Sequence, residues 1–218
     1  PSAFQAGSHN IERYGEDALP EDMTIQDWGV TYDELEPHYD RFEKLCGIAG
    51  KAGNLGGETQ EGGNPFEGAR SDEYPNPPMD MVASPLKFAD AARELGYAPF
   101  PGPSANMSRA YTNPLGVQLA PCTYCGFCEK YACGNYSKAT ATTTILPALM
   151  RRENFTLRTG AMVLRVEKDR QNTRATGVTY ITDEGEEVFQ PAQMVVLCCY
   201  ITHNVNLLMQ SGIGQIYD

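Results

Sequence analysis

Four of the chain's seven cysteines, Cys122, Cys125, Cys128 and Cys133, fall inside one stretch, PCTYCGFCEKYACGNYSK. Two successive C-x2-C steps put sulfur atoms on one side of a tight turn, where they are able to converge on a metal. Gly126 and Gly134 let the backbone fold around such a group without Cβ clashes. Thiolates are soft ligands, suited to iron–sulfur clusters, zinc or Cu(I). The spacing C-x2-C-x2-C-x4-C comes close to the bacterial ferredoxin run C-x2-C-x2-C-x3-C-P, with the last gap one residue longer and Gly134 in place of Pro. A structural zinc site ordinarily takes two ligand pairs separated by a longer insert, or includes His. Here all four thiols are bunched and no His is near, so the spacing favours an iron–sulfur cluster, with zinc the next reading. Two disulfides, or four reduced thiols, are the third: C-x2-C can bridge, but four such cysteines in one turn seldom all pair without strain.

The chain that has to hold this loop has 218 residues, 41% hydrophobic and 21% charged, a globular balance with room for one or two domains. Its net charge of −11 argues against a nucleic-acid partner and against direct docking on anionic lipid. No apolar run approaches the roughly 18 residues that span a bilayer. The chain opens without Met and without a basic, apolar leader, which is expected of a mature form or an excerpt of a longer protein. An odd cysteine count rules out a complete internal disulfide set.

Residues 1–30 read as polar and irregular, with Gly7, Gly15 and Pro20 as breakers. Thr31 then opens a helix with Glu34 completing a capping box, and Gly47 ends it. Pro37 lies inside, so the helix is expected to start later or to bend there. His38 and Cys46 read as packing residues of that helix. Residues 50–83 form a long Gly- and Pro-dense excursion, either a solvated linker or a segment anchored on another surface. Ser84, as N-cap before Pro85, starts a second helix that Gly96 stops. A proline-set extended stretch leads to the cysteine run, and a further helix is expected over about 143–152, its last turn carrying Arg151 and Arg152.

From Phe155 the period changes. The runs FTLRT, MVLRVEKD, ATGVTYITD, EEVFQP and QMVVLCC read as strands, with a hairpin turn at Asp183-Glu184-Gly185. Val163, Leu164 and Val166 are the apolar set of the second run. Met194 to Cys199 is continuously apolar, as in a strand buried on both faces, and Cys198-Cys199 reads as core packing. It feeds a helix through Leu207 and Leu208. The whole is a mixed α/β chain, with a helical, loop-rich segment at 1–154 carrying the cysteine cluster and a β-meander with a strand–helix pair at 155–218.

This last part resembles the glucose–methanol–choline (GMC) family of flavin oxidoreductases. The resemblance rests on Val163, Val166, Asp169, Arg174-Ala175-Thr176-Gly177-Val178, Tyr180, Gly185, Val195-Val196-Leu197 and Ser211-Gly212-Ile213-Gly214. Upstream, Trp28, Tyr32, Leu35 and Pro37-His38-Tyr39 are similar to the family's entry segment. The cysteine run resembles the family's subgroup acting on sugars and sugar acids.

The resemblance implies the central part of a GMC-type FAD-binding fold. It implies an FAD-dependent enzyme that oxidises an alcohol group of a sugar or sugar acid. It further implies a cluster, often three-iron, on Cys122, Cys125, Cys128 and Cys133 that passes electrons to a cytochrome c-type partner or a quinone. A place at the periplasmic face of the inner membrane, through a partner subunit, goes with that. Val163 matches the Val of the family's T-G-x-x-V step, here Thr159 to Val163, whose backbone lies against the adenine of FAD.

Three departures qualify this. No G-x-G-x-x-G follows a strand. His9, His38 and His203 lie outside the family's catalytic motif, so no catalytic base is assigned. Tyr200 stands where members commonly have Gly, which would crowd a close approach of backbone to the dinucleotide. The chain alone is expected to lack turnover, to bind FAD weakly and to self-associate through the strand at 194–199. The rival from another class is a small, non-enzymatic iron–sulfur or zinc-binding electron-transfer module.

Overall fold

The computed structural model describes residues 6–18, 20 and 24–215, and contacts divide the chain into two compact units, Pro1–Phe155 and Thr156–Asp218.

In the first unit, the stretch expected to be irregular contains a helix, α1 (Ala6–Tyr14), and a 3-10 turn at Glu16–Ala18; positions 1–5, 19 and 21–23 of that stretch lie outside the described residues. Its first turn is closed from a distance. Ser8 donates its backbone N–H (3.0 Å) and its hydroxyl to the Asp27 carboxylate, an acceptor that a local reading of 6–14 does not contain. Helix α2 (Tyr32–Cys46) begins where the capping box requires: Glu34 N–H donates to the Thr31 hydroxyl and the Thr31 N–H to the Glu34 carboxylate. It runs through Pro37 rather than starting after it, and ends at Gly47 in the left-handed conformation, φ 68°. A Cβ at Gly47 would lie 2.6 Å from the Tyr111 ring and 2.7 Å from the Met107 sulfur, so this helix end needs Gly for space as well as for backbone.

The excursion after α2 is not a free linker: part of it stays exposed, with Phe66 88% exposed, but it is pinned to the rest of the unit. A two-residue hairpin, β1 (Asn54–Leu55) with β2 (Glu58–Thr59), opens it, and its second half folds back on α2. Arg70 is buried, donates to Glu43 of α2 and pairs with Glu67 at 3.5 Å. Its guanidinium lies 3.9 Å from the centre of the Tyr74 ring. Burial works most strongly against that charge, but the bond to Glu43 together with the charges of Glu43, Glu67 and Tyr74 outweighs it and holds Arg70 above its ordinary pKa. Asn76, fully buried, donates to the Gly47 carbonyl at 2.7 Å and accepts from Arg109 at 3.3 Å.

Helix α3 (Ala83–Glu94) starts two residues earlier than Ser84 as N-cap would set it. Val82 is the N-cap and makes no side-chain cap bond. None of its residues is buried, and Phe88 is 74% exposed. A hairpin, β3 (Tyr111–Thr112) with β4 (Gln118–Leu119), precedes the cysteine run. The helix expected over 143–152 is two short pieces, α4 (Ala141–Thr144) and α5 (Leu146–Leu149). Pro147 explains the break, since its ring opposes a helical carbonyl four residues back and it has no N–H to give.

In the second unit, β5 (Ala161–Lys168), β6 (Ala175–Thr182) and β7 (Glu187–Pro191) form an antiparallel sheet in that order, with Gly185 (φ 85°) in the turn between β6 and β7. Helix α6 (Ile201–Gln210) packs on β5 with Leu207 and Val166 buried. Two expected strands do not form. Residues 155–159 join no β-ladder among the described residues, and neither does the run Met194–Cys199, in which Met194 and Val196 are exposed. Cys198 and Cys199 are exposed too, not core. An apolar run becomes a buried strand only when a neighbour supplies ladder bonds. Here Asn204 of α6 does part of that work, accepting from Cys199 N–H at 2.9 Å and donating to the Leu197 carbonyl at 3.3 Å.

Asn113 joins three elements of the first unit. Its amide donates to the carbonyls of Leu45 (3.0 Å) and Thr144 (2.9 Å), and its oxygen accepts from Leu115 and Val117 N–H (both 3.0 Å). All four capacities of a buried side chain are used. Asn113→Ala in the full-length protein should lower stability by about 3 kcal/mol, because buried carbonyls and N–H groups lose their partners. Urea unfolding checks this: the midpoint should fall while the slope stays constant.

Candidate functional site

The cysteine run sits between two anchor points on one extended segment, 104–107. At its entry, Cys122 N–H donates to the Met107 carbonyl at 2.8 Å. At its exit, Met107 N–H donates to the Ser137 carbonyl (3.1 Å) and Ala139 N–H to the Ala105 carbonyl (2.7 Å). Asn106 and Lys138 face each other there as an antiparallel bridge. Asn135 adds a cross-link, donating from its side chain to the Pro121 carbonyl at 2.7 Å. The loop is therefore a closed structure with both feet on the same segment. Within it, Gly126 takes φ 81°, as the tight turn demands, whereas Gly134 does not need its freedom; Tyr124 and Tyr136 adopt left-handed φ values of 55° and 54° instead. The Tyr124 hydroxyl accepts from Asp80 N–H at 2.8 Å.

All four thiols are free. Cys125, Cys128 and Cys133 line a cavity of about 370 Å³ together with Phe127, Tyr131 and Asn135, and Phe127 meets Tyr131 edge to face with centroids 5.9 Å apart. Cys122 is not on that cavity; its sulfur accepts from Tyr124 N–H at 3.3 Å. Cys128 Sγ accepts from the Asn106 amide at 3.6 Å, and Lys138 donates its ammonium to the Cys128 carbonyl. The Lys138 backbone N–H does most to hold the Cys133 thiol below the ordinary thiol range. Burial opposes it, while Ser137 and Asn135 N–H and the Lys138 charge add to it.

The donor chemistry thus fits a thiolate-bound group: reduced thiols, three on one cavity, with N–H donors aimed at sulfur. The expected convergence is another matter. Among the described residues, no three His, Cys, Asp or Glu side chains are arranged to hold a metal ion. Four thiols on a loop of this length carry many rotamers, and the metal itself ordinarily draws such ligands together.

In the second unit, Val163 is on β5, an edge strand of the three-stranded sheet, opposite Tyr180 and beside a register shift between Val163 and Arg165. An edge strand has backbone groups with no ladder partner, which suits a contact made by main chain rather than side chain. Tyr200, at the N-cap of α6, has φ 72° and ψ 150°, a conformation ordinarily reserved for Gly, and the residue is 73% exposed. The backbone keeps a glycine geometry although the residue is Tyr. Sequence reasoning picked out the cysteines but missed Asn106 and Lys138. Nothing in the spacing of SANMS or NYSK marks them, and only the bridge between the two segments does.

The chain has mixed helix and sheet content, and the family model "GMC oxidoreductase" matches its residues 26–217. The chain belongs to the GMC oxidoreductase family. It is 46% identical, over its whole length, to the gluconate 2-dehydrogenase flavoprotein of Pantoea cypripedii, covering 36% of that protein. It is 29% identical to paromamine 6'-oxidase of Streptomyces fradiae over 88% of this chain and 31% of that one. A similar match, 29% over 84% of this chain and 31% of the relative, is to 6'''-hydroxyparomomycin C oxidase of Streptomyces lividus. The chain spans about a third of the length of these relatives.

Tyr200→Gly should relieve the strained backbone. Relief of roughly 1–3 kcal/mol, less the 0.5–1 kcal/mol entropic cost of Gly, leaves a net gain of about 1 kcal/mol for the full-length protein. A rise in urea midpoint checks it; a fall would show that the Tyr ring makes contacts worth more than the strain.

Proposed function

We propose that this chain is part of an FAD-dependent dehydrogenase that oxidises an alcohol group of a sugar acid of the gluconate type, and that the cysteine loop carries an iron–sulfur cluster serving a cytochrome or quinone acceptor. The observation that carries the reading is the 46% identity to a gluconate 2-dehydrogenase flavoprotein across all of this chain. Membership of the GMC family leaves the rival, a free-standing electron-transfer module, without support.

FAD, when bound, supplies the hydride acceptor, and the protein supplies orientation and electronics. Val163 is the residue proposed to lie against the adenine through its main chain, which its place on edge strand β5 supports. The cluster, when bound, supplies one-electron transfer, and Cys122, Cys125, Cys128 and Cys133 are its proposed ligands. Three of them share a cavity while Cys122 stands apart, which favours a three-iron form with one spare thiol. No described helix is long and apolar enough to cross a membrane; a periplasmic, membrane-associated location through a partner subunit is proposed from the likeness to a gluconate 2-dehydrogenase flavoprotein alone.

Two measurements test this. In the full-length protein, purified anaerobically, iron and sulfide should be present, and Ser replacement of each cysteine in turn should spare the cluster in one case only, Cys122→Ser. Loss in all four would mean a four-iron cluster, and stoichiometric zinc without iron would remove the cluster altogether. Separately, Val163→Pro should weaken FAD binding at least tenfold while Val163→Ala changes it little, because proline removes the N–H donor and the alanine does not. Flavin fluorescence during an FAD titration reads this, and equal affinity for both variants would refute the assignment.

A further inference from the structure

We propose that Asn106 and Lys138, neither of them a ligand, form a polar clamp on Cys128 that fixes its thiolate and raises the reduction potential of the group it holds; this rests on the iron–sulfur reading above.

Two independent contacts converge on Cys128. The Asn106 amide donates to its sulfur at 3.6 Å, and the Lys138 ammonium donates to its carbonyl. The two clamp residues are themselves paired across the bridge at the base of the loop, flanked by the Met107 N–H to Ser137 carbonyl and Ala139 N–H to Ala105 carbonyl bonds. The clamp is thus built where the loop is tied to segment 104–107. The other thiols differ. Cys122 sulfur takes an N–H from Tyr124, two residues on, and Cys133 is served by the backbone N–H groups of Lys138, Ser137 and Asn135 and by the Lys138 charge, with no side-chain donor to its sulfur among the described residues. Among the four cysteines, Cys128 is the one whose sulfur takes a side-chain bond from the segment carrying both feet of the loop.

The chemistry follows from charge. An N–H donor on a ligating sulfur draws electron density from it, and a fixed ammonium beside the same residue stabilises added negative charge. Both favour the reduced state, and hydrogen bonds to sulfur together with local charge are among the levers that set cluster potentials. Asn106 and Lys138 are positioning residues: Asn106 acts through the Cys128 sulfur, and Lys138 through the Cys128 carbonyl and, by its charge, on the neighbouring Cys133.

The test uses the full-length flavoprotein, purified anaerobically, with redox titration followed by EPR and with iron and sulfide analysis. Asn106→Ala should shift the cluster midpoint to more negative potential at unchanged iron content. Asn106→Asp, which keeps the shape but replaces the donor by a carboxylate, should shift it further. Lys138→Met should also move it negative, and Lys138→Arg should restore most of the wild-type value. The flavin midpoint, read from visible absorbance, should not move. Full iron content with unmoved cluster midpoints in Asn106→Ala and Lys138→Met overturns the clamp and leaves the cluster reading standing. Zinc and no iron in the wild type overturns the cluster reading, and the clamp with it.

Discussion

A buried backbone N–H or carbonyl must find a partner, and in the first unit one short segment, residues 104–107, meets that requirement for three separate stretches of chain. Its Ser104 exchanges two 2.8 Å bonds with Ala49, just past the end of α2. Its Ala105 and Met107 tie both feet of the cysteine loop. Met107 fills the space beneath, fully buried, against Gly47 and Asn76. The segment has no regular secondary structure of its own, yet it fixes where α2 ends and where the cysteines begin.

Around it the first unit is held by polar groups as much as by apolar ones. Its buried apolar residues are small or few: Cys46, Ala49, Ala52, Tyr74, Met107 and Leu119. Arg70, Asn76, Asn113, Ser137 and Thr144 are buried with them, and every buried side-chain nitrogen or oxygen among the described residues has a partner. Such a satisfied network specifies one arrangement strongly, because any alternative leaves a group unpaired.

The second unit uses a different device. Ser211 accepts from Val166 N–H on the edge of β5 (2.8 Å) and donates to the Leu207 carbonyl of α6 (2.6 Å), while Lys168 donates to the Gly212 carbonyl (2.9 Å). The Ser-Gly pair of the Ser-Gly-Ile-Gly segment is therefore a physical joint between helix end and strand edge. Its Gly212, at φ 62°, lets the chain leave the helix there. This joint occupies part of the free edge of β5, the strand on which Val163 lies.

Local signals were legible where the chemistry is local. Thr31 with Glu34 and Gly47 marked both ends of α2, and Gly185 marked the β6–β7 turn, because each partner lies within a few residues. The cysteine spacing marked the candidate loop, and the residues from Val163 to Gly214 marked the GMC family. What tertiary structure alone decided depends on partners distant in sequence. Helix α1 is closed by Asp27, the 50–83 excursion is pinned by Arg70 on Glu43, and Asn106 reaches Cys128 across 22 residues. Met194–Cys199 shows the same limit from the other side. Apolarity reads as a buried strand, but burial and ladder bonds belong to the neighbours a segment finds and not to the segment itself.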